Sequence, residues 1–158
     1  MTITTASPDD APAILALQRL AYRSEAERYD DDTLPPLTET VDQIRAEFGH
    51  RLVLKAVDDG LIVGSVRAHE EGDTCHIGRL IVHPDHQGRA LGAALLSEVE
   101  VRFPEARRFE LFTGTLSVRN IGLYERLGYV PFREEVVSPK VTLVYLEKRV
   151  VDDQITRE

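Results

Sequence analysis

The segment Ile81-Val82-His83-Pro84-Asp85-His86-Gln87-Gly88-Arg89-Ala90-Leu91-Gly92 contains a change of period around which the rest of the chain is organised. Before it, Thr74 to Val82 reads as a strand. After it, Leu91, Leu95, Val99 and Phe103 recur one helical turn apart, which predicts a helix over 88–103. Between the two lies a short polar turn with small residues. Such a turn leaves the first backbone N–H groups of the helix unpaired and converging on one spot, where the helix dipole also favours an anion. Small side chains let a diphosphate approach the backbone. A glycine in a strand–helix turn is equally ordinary turn chemistry, so this segment alone leaves both readings open.

Outward from this point the elements follow in both directions. Upstream, residues 2–5 are β-rich, and Ser7-Pro8-Asp9-Asp10 reads as a helix start, with Ile14, Leu17, Leu20 and Ala21 carrying the helix to about residue 28. Thr40 to Phe48 is a second helix, with Val41, Ile44 and Phe48 on one face and Gly49 ending it. Strands at 52–57, 61–68 and 74–82 are separated by Asp58-Asp59-Gly60 and by Gly72-Asp73, which predicts an antiparallel meander. Downstream come a strand at 108–112, a helix at 117–127 stopped by Gly128, and strands at 129–137 and 141–147. The order β-α-α-β-β-β-α-β-α-β-β is that of an α/β (α+β) domain, a mixed sheet with helices packed against it.

The turn, with Gln87, Leu91 and Gly92 in register and Val82 and Pro84 before it, resembles the pyrophosphate motif of the GNAT superfamily of N-acetyltransferases, Gln/Arg-x-x-Gly-x-Gly/Ala. It departs at Ala90, where that family usually has Gly, and the methyl there is expected to crowd the pyrophosphate slightly. Asn120-Ile121-Gly122-Leu123-Tyr124-Glu125-Arg126-Leu127-Gly128-Tyr129 is similar to the family's later helix. The resemblance, which also covers the element order, implies a GNAT-like acyl-CoA N-acyltransferase fold with acetyl-CoA as co-substrate. It implies cofactor binding by Leu80, Ile81 and Val82 (backbone N–H groups bared by a β-bulge), by Gln87, Gly88, Arg89, Ala90, Leu91 and Gly92, and by Ser117, Asn120 and Tyr124. Ser117 stands where many members carry Asn and also reads as a plain helix cap. Tyr124 is the expected acid for the leaving thiolate, and equally reads as a half-buried core aromatic.

Acetyl transfer to an amine also needs a base, because a lysine-like ammonium with a pKa near 10.4 costs about 4–5 kcal/mol to neutralise at pH 7. His76, eleven residues before Gln87, stands where some members hold a catalytic glutamate, and an imidazole accepts a proton near neutrality. A strand histidine that merely packs is the alternative. Glu70 and Glu71 are turn acids that would act only through water, and His83 and His86 are expected to shape the cofactor turn. His76, His83 and His86 lack the spacing of a metal site. Cys75 and His76, adjacent on a strand, point to opposite faces, which speaks against a covalent acetyl-cysteine route. In the resembling family the acceptor enters beside the first two helices. Here that region carries Glu25, Glu27, Asp30, Asp31, Asp32 and Glu39, an acidic rim suited to a cationic amine or simply a solvated loop, together with Tyr22 and Tyr29.

Composition bounds the reading. With 158 residues, 19 Lys+Arg against 27 Asp+Glu and a net charge of −8, the chain is expected to form one domain over 1–149 with a polar tail at 150–158, and to bind no nucleic acid. Apolar runs are too short for a membrane span, the N-terminus does not resemble a secretory signal, and one cysteine fits a reducing cytoplasm. The sequence thus points to an N-acetyltransferase that acts on a small-molecule primary amine in a ternary complex, with homodimerisation open. A non-catalytic acyl-CoA-binding module and a peptide or protein N-acetyltransferase are its rivals.

Overall fold

The computed structural model describes residues 1–88 and 90–151, so Arg89 and the tail from 152 onward lie outside the described residues. A seven-stranded sheet has the order β1-β2-β3-β4-β5-β7-β6, built from β1 (Thr2–Thr5), β2 (Leu52–Asp58), β3 (Leu61–Glu71), β4 (Thr74–Val82), β5 (Arg108–Gly114), β6 (Val130–Ser138) and β7 (Val141–Arg149). The meander β2-β3-β4 forms as its turns demand: Asp59 and Gly60 both take positive φ (53° and 78°), the geometry of a tight hairpin.

Four helices precede β2. The chain expected to run as one helix to about residue 28 divides at Tyr22 into α1 (Ala11–Ala21) and α2 (Arg23–Tyr29), because Tyr22 leaves helical geometry at φ −87°, ψ 1°. A single turn, α3 (Pro35–Thr38), follows inside the acidic loop, and α4 (Val41–Glu47) starts on a capping box between Thr40 and Gln43. α5 (Leu91–Arg102) crosses from β4 to β5, and α6 (Val118–Arg126) lies between β5 and β6. No helix among the described residues is long and apolar enough to cross a membrane.

Strand alternation divides the core. Leu54, Val66, Cys75, Ile77 and Phe109 face Leu95, Leu96 and Val99 of α5, whereas Val53 turns the other way, to Ile14 of α1 and Phe48. As expected from alternation, Cys75 is buried and His76 lies on the opposite face. Burial pushes the Cys75 thiol up to about 12, which leaves it without thiolate character at neutral pH.

The decisive feature is at the sheet's centre. β4 and β5 run parallel but pair over only three positions, Thr74 to His76 against Arg108 to Glu110. Beyond them β4 continues on β3 alone and β5 on β7 alone, so the sheet opens into a cleft. Within this stretch Arg67 pairs with Gly78 and Ser65 with Ile81, which places two residues of β4, Arg79 and Leu80, opposite Val66. That is a β-bulge, and Arg79 takes left-handed geometry (φ 49°) to make it; of the three residues expected to be bared by a bulge only Leu80 lies in it, because Ile81 and Val82 are back in register with Ser65 and Gly64.

Candidate active site

Two cavities meet in the cleft. The first, about 600 Å³, lies between the end of β4, the start of α5 and α6. Its walls include Leu80, Ile81, Val82, Gln87, Gly88, Ala90, Leu91, Gly92, Ser117 and Asn120. Every residue expected to bind cofactor therefore lines one space, apart from Arg89, which is outside the described residues, and Tyr124, which lines the neighbouring cavity. Gly88 sits at φ 80°, and Ala90, the residue before α5, at φ 60°. The departure from Gly at position 90 thus falls on a backbone conformation that costs an alanine about 1–2 kcal/mol. His83 and His86 do shape the turn: His83 Nδ1 accepts from the Asp85 N–H at 3.1 Å, and His86 Nε2 lies 3.1 Å from Asp58.

Basic residues not identified from the sequence also line this cavity. Arg119 and Arg126 of α6 are there, Arg119 donating to Gln87 Oε1 at 3.2 Å, with Arg28 of α2 opposite. Together with the exposed N–H groups at the head of α5, they make the space electropositive where a diphosphate would need it. The donor set and the small residues at 88, 90 and 92 fit acetyl-CoA. On binding, that molecule supplies an acyl carbon already activated by its thioester. At Gly92 a Cβ would lie 3.1 Å from the Leu123 side chain, which would have to give by a few tenths of an ångström to admit it.

The second cavity, about 510 Å³, occupies the cleft proper, with Tyr124 in its wall. Much of its wall is apolar, from Leu34 and Pro35 through Leu111 and Phe112 to Val141 and Leu143. It shares five residues with the first cavity: Tyr22, Glu25, Leu80, Ser117 and Asn120. These mark the passage between the two spaces.

The passage is held by a hydrogen-bond chain. The Leu116 N–H donates to Tyr29 Oη at 3.0 Å, Tyr29 Oη and Ser117 Oγ are 2.7 Å apart, and the Ser117 hydroxyl donates to Glu25 Oε2 at 2.7 Å. Since Ser117 gives its proton to Glu25, the Tyr29 hydroxyl donates to Ser117. Arg28 completes the arrangement by donating to Glu25 Oε1 at 2.8 Å. Ser117 does occupy the capping position of α6, but its side chain makes no cap bond. The tyrosine fits only because position 114 is glycine: a Cβ there would lie 2.0 Å from Tyr29 Oη.

Tyr124 is 6% exposed and lines the second cavity, with no hydrogen-bond partner for its hydroxyl among the described residues. Burial, and then the neighbouring Tyr22 and Glu25, push its pKa well above the usual phenol value, so it keeps its proton at neutral pH. Asn120, one turn earlier, donates to Thr113 Oγ1 at 3.4 Å, which ties α6 to β5.

His76 lies elsewhere. It lines a third cavity of about 350 Å³ at the closed end of the cleft, stacked on His69 at 5.1 Å and 3.5 Å from Glu110. That space borders the second cavity through Ile77 to Arg79, Leu111 and Phe112, but Tyr124 does not reach it. Of the acidic rim, Glu25 and Asp31 line the second cavity. Glu39 requires a correction, because it is not a rim residue. It is buried beneath the loop, accepting from Arg67 at 2.9 and 3.1 Å and from Gln18 at 2.8 Å, with Arg79 Nε at 3.5 Å. Burial alone would raise its pKa, but the bonds from Arg67 and Gln18 and the charges of Arg67 and Arg79 outweigh it and hold the carboxyl at about 2.

Comparison with known proteins agrees with this geometry. Residues 12–129 match the model of the acetyltransferase (GNAT) family. An acetyltransferase of Pectobacterium atrosepticum, ECA0875, is 30% identical over 127 residues, which is 78% of this chain and 84% of that protein. The UPF0157 protein YqkA of Bacillus subtilis is 31% identical over 119 residues, but the chain spans only 34% of its length. Among solved structures, the ribosomal-protein-S18-alanine N-acetyltransferase of Escherichia coli superposes with a TM-score of 0.79 at 17% identity, covering 96% of this chain and 94% of that one. The acetyltransferase yncA of Salmonella typhimurium, solved with acetyl-CoA, gives a TM-score of 0.75 at 20% identity, covering 96% and 95%.

Proposed function

The chain belongs to the GNAT family of acetyltransferases, and we propose that it moves the acetyl group of acetyl-CoA directly to the primary amine of a small molecule, within a ternary complex in the cytoplasm. The observation that carries this reading is the meeting of two cavities, one basic and one largely apolar, at Tyr22, Glu25, Leu80, Ser117 and Asn120, beside Tyr124. A module that only bound the coenzyme would need the first space and not the second.

In this reaction the amine nitrogen bonds to the acyl carbon as the carbon–sulfur bond breaks. The nitrogen gives up two protons in all, the first to a base before attack and the second as the amide forms, while the departing sulfur takes up one proton and the other is released to solvent. We assign protonation of the sulfur to Tyr124, whose raised pKa keeps its hydroxyl protonated at neutral pH. The bulge at Arg79 and Leu80 frees backbone N–H groups of β4 from the ladder, and fixed donors of this kind stabilise charge developing on an acyl oxygen. For the first transfer we favour Glu25, whose carboxylate stands at the passage and spends acceptor sites on only Ser117 and Arg28. His76 is the second candidate, one cavity removed.

The test is release of free thiol from acetyl-CoA with a panel of amines, each as a full initial-rate matrix. Intersecting lines are expected for a ternary complex, and parallel lines would indicate a covalent acetyl-enzyme. Tyr124→Phe is expected to lower kcat by about 10²-fold, and unchanged turnover removes it from the acid role. Glu25→Gln should abolish the acid-side limb of the pH profile while His76→Ala retains it. The opposite pattern assigns the base to His76. Acetyl-CoA binding with no amine-dependent thiol release would mark a sensing module instead.

A further inference from the structure

Resting on the reading of the second cavity as the acceptor site, we infer that its acceptor is an amine that also carries a carboxylate, an amino acid with an apolar side chain rather than a simple amine, a polyamine or a peptide N-terminus. The argument turns on Arg79. This residue lines the apolar cavity, yet its place on the bulge gives its guanidinium a single protein partner among the described residues, Glu39, reached only through Nε at 3.5 Å. Glu39 is already engaged by Arg67 through two bonds and by Gln18. The cluster therefore holds two guanidinium charges against one carboxylate, and the Nη atoms of Arg79 have no partner among the described residues.

The Arg79 side chain is 25% exposed and borders both the second and the third cavity, so its free Nη donors are open to an anion that enters the cleft. The two Nη donors form the planar fork that suits a carboxylate. One unit of excess charge also matches a carboxylate better than a doubly charged phosphate monoester. Glu25 supplies the opposite sign in the same cavity, at the passage to the cofactor space. Tyr22 lines the same cavity as both. An amino acid would set its ammonium against Glu25 near Tyr124, its carboxylate on Arg79 and its side chain among Leu34, Leu111 and Leu143.

The experiment compares three acceptors that differ in one group: L-leucine, L-leucinamide and 3-methylbutylamine. Each is assayed by thiol release with wild type, Arg79→Gln and Arg79→Lys, after thermal melting shows that the variants are folded. The quantity read is the ratio of kcat/KM for leucine to that for each analogue lacking the carboxylate, in which differences in amine basicity cancel between enzymes. Arg79→Gln is expected to lower both ratios at least tenfold, mainly through the KM of leucine, and Arg79→Lys to recover part of the loss. As an independent readout, 4-methylpentanoate, which has the carboxylate but no amine, should inhibit wild type competitively against 3-methylbutylamine and inhibit Arg79→Gln at least tenfold more weakly. Ratios unchanged within twofold overturn the inference while leaving the acetyltransferase reading intact. So does turnover of leucinamide, a peptide or a polyamine with none of leucine. Absence of thiol release with every amine overturns both.

Discussion

Replacing Glu39 by glutamine should weaken the fold by an amount that depends on pH in a defined way. Arg67 is 3% exposed and Glu39 9% exposed, so the pair is out of water, and the amide leaves a buried guanidinium without its counter-charge. Breaking a buried pair from one side costs about 3–5 kcal/mol. The pKa gives an independent figure. The carboxyl is held at about 2 in the folded protein against an ordinary 4.5, and a displacement of about 2.5 units corresponds to about 3 kcal/mol at neutral pH. Because the folded-state pKa is the lower one, this stabilisation is fully present above pH 4.5 and is lost as pH falls through about 2. Linkage gives about 3 kcal/mol at pH 6 and about 1.4 kcal/mol at pH 3. The assay is urea unfolding of wild type and Glu39→Gln at several pH values from 6 to 3, taking the difference at each. A difference below about 1 kcal/mol at pH 6, or one that stays flat down to pH 3, would refute the reasoning. Function is involved as well, because Gln18 Nε2 also donates to the Pro36 carbonyl at 2.8 Å. The cluster thereby fastens the loop that borders the second cavity to α1 and β3, so on the proposed reading KM for the amine should rise in the same variant.

Other variants probe separate parts of the site. Ala90→Gly relieves left-handed backbone before α5 and should raise stability by about 1 kcal/mol in urea unfolding, with acetyl-CoA bound at least as tightly; a loss of stability would contradict the conformation at that position. Gly114→Ala puts a methyl where Tyr29 Oη now sits, so it should cost about 1–3 kcal/mol, break the chain to Ser117 and Glu25, and lower kcat/KM for amines. Normal kinetics in that variant would show the chain to be dispensable. Cys75, with its thiol pushed up to about 12, should react with a thiol reagent at native pH only as fast as the protein opens, and prompt labelling of the folded enzyme would contradict its burial.

How far the sequence could be read differs from element to element. Thr74–Val82 and the hairpins around it were legible because alternation and turn residues are local properties. The division at Tyr22 was not, since the apolar spacing of Ile14, Leu17 and Leu20 runs on toward it without a proline or glycine to mark the break. Glu39 shows the same limit in the site. In the sequence it is one acid among several beside Pro35 and Pro36, and only its partners Gln18 and Arg67, 21 and 28 residues away, turn it into a buried anchor. Arg79 gave no signal at all, because a bulge depends on the register of the opposing strand.

By itself, then, the chain determined the strand, turn and helix start that we propose meet the coenzyme's diphosphate, since they are consecutive and their geometry follows from neighbouring residues. The second cavity, the proposed acceptor site, was decided only by the tertiary structure. Its walls come from residues 22–36, 77–80, 111–124 and 137–143, and they converge because β4 and β5 part after three pairs. Separation of that kind is set by which strands pair across distant parts of the chain, which leaves no periodic trace in the order of residues.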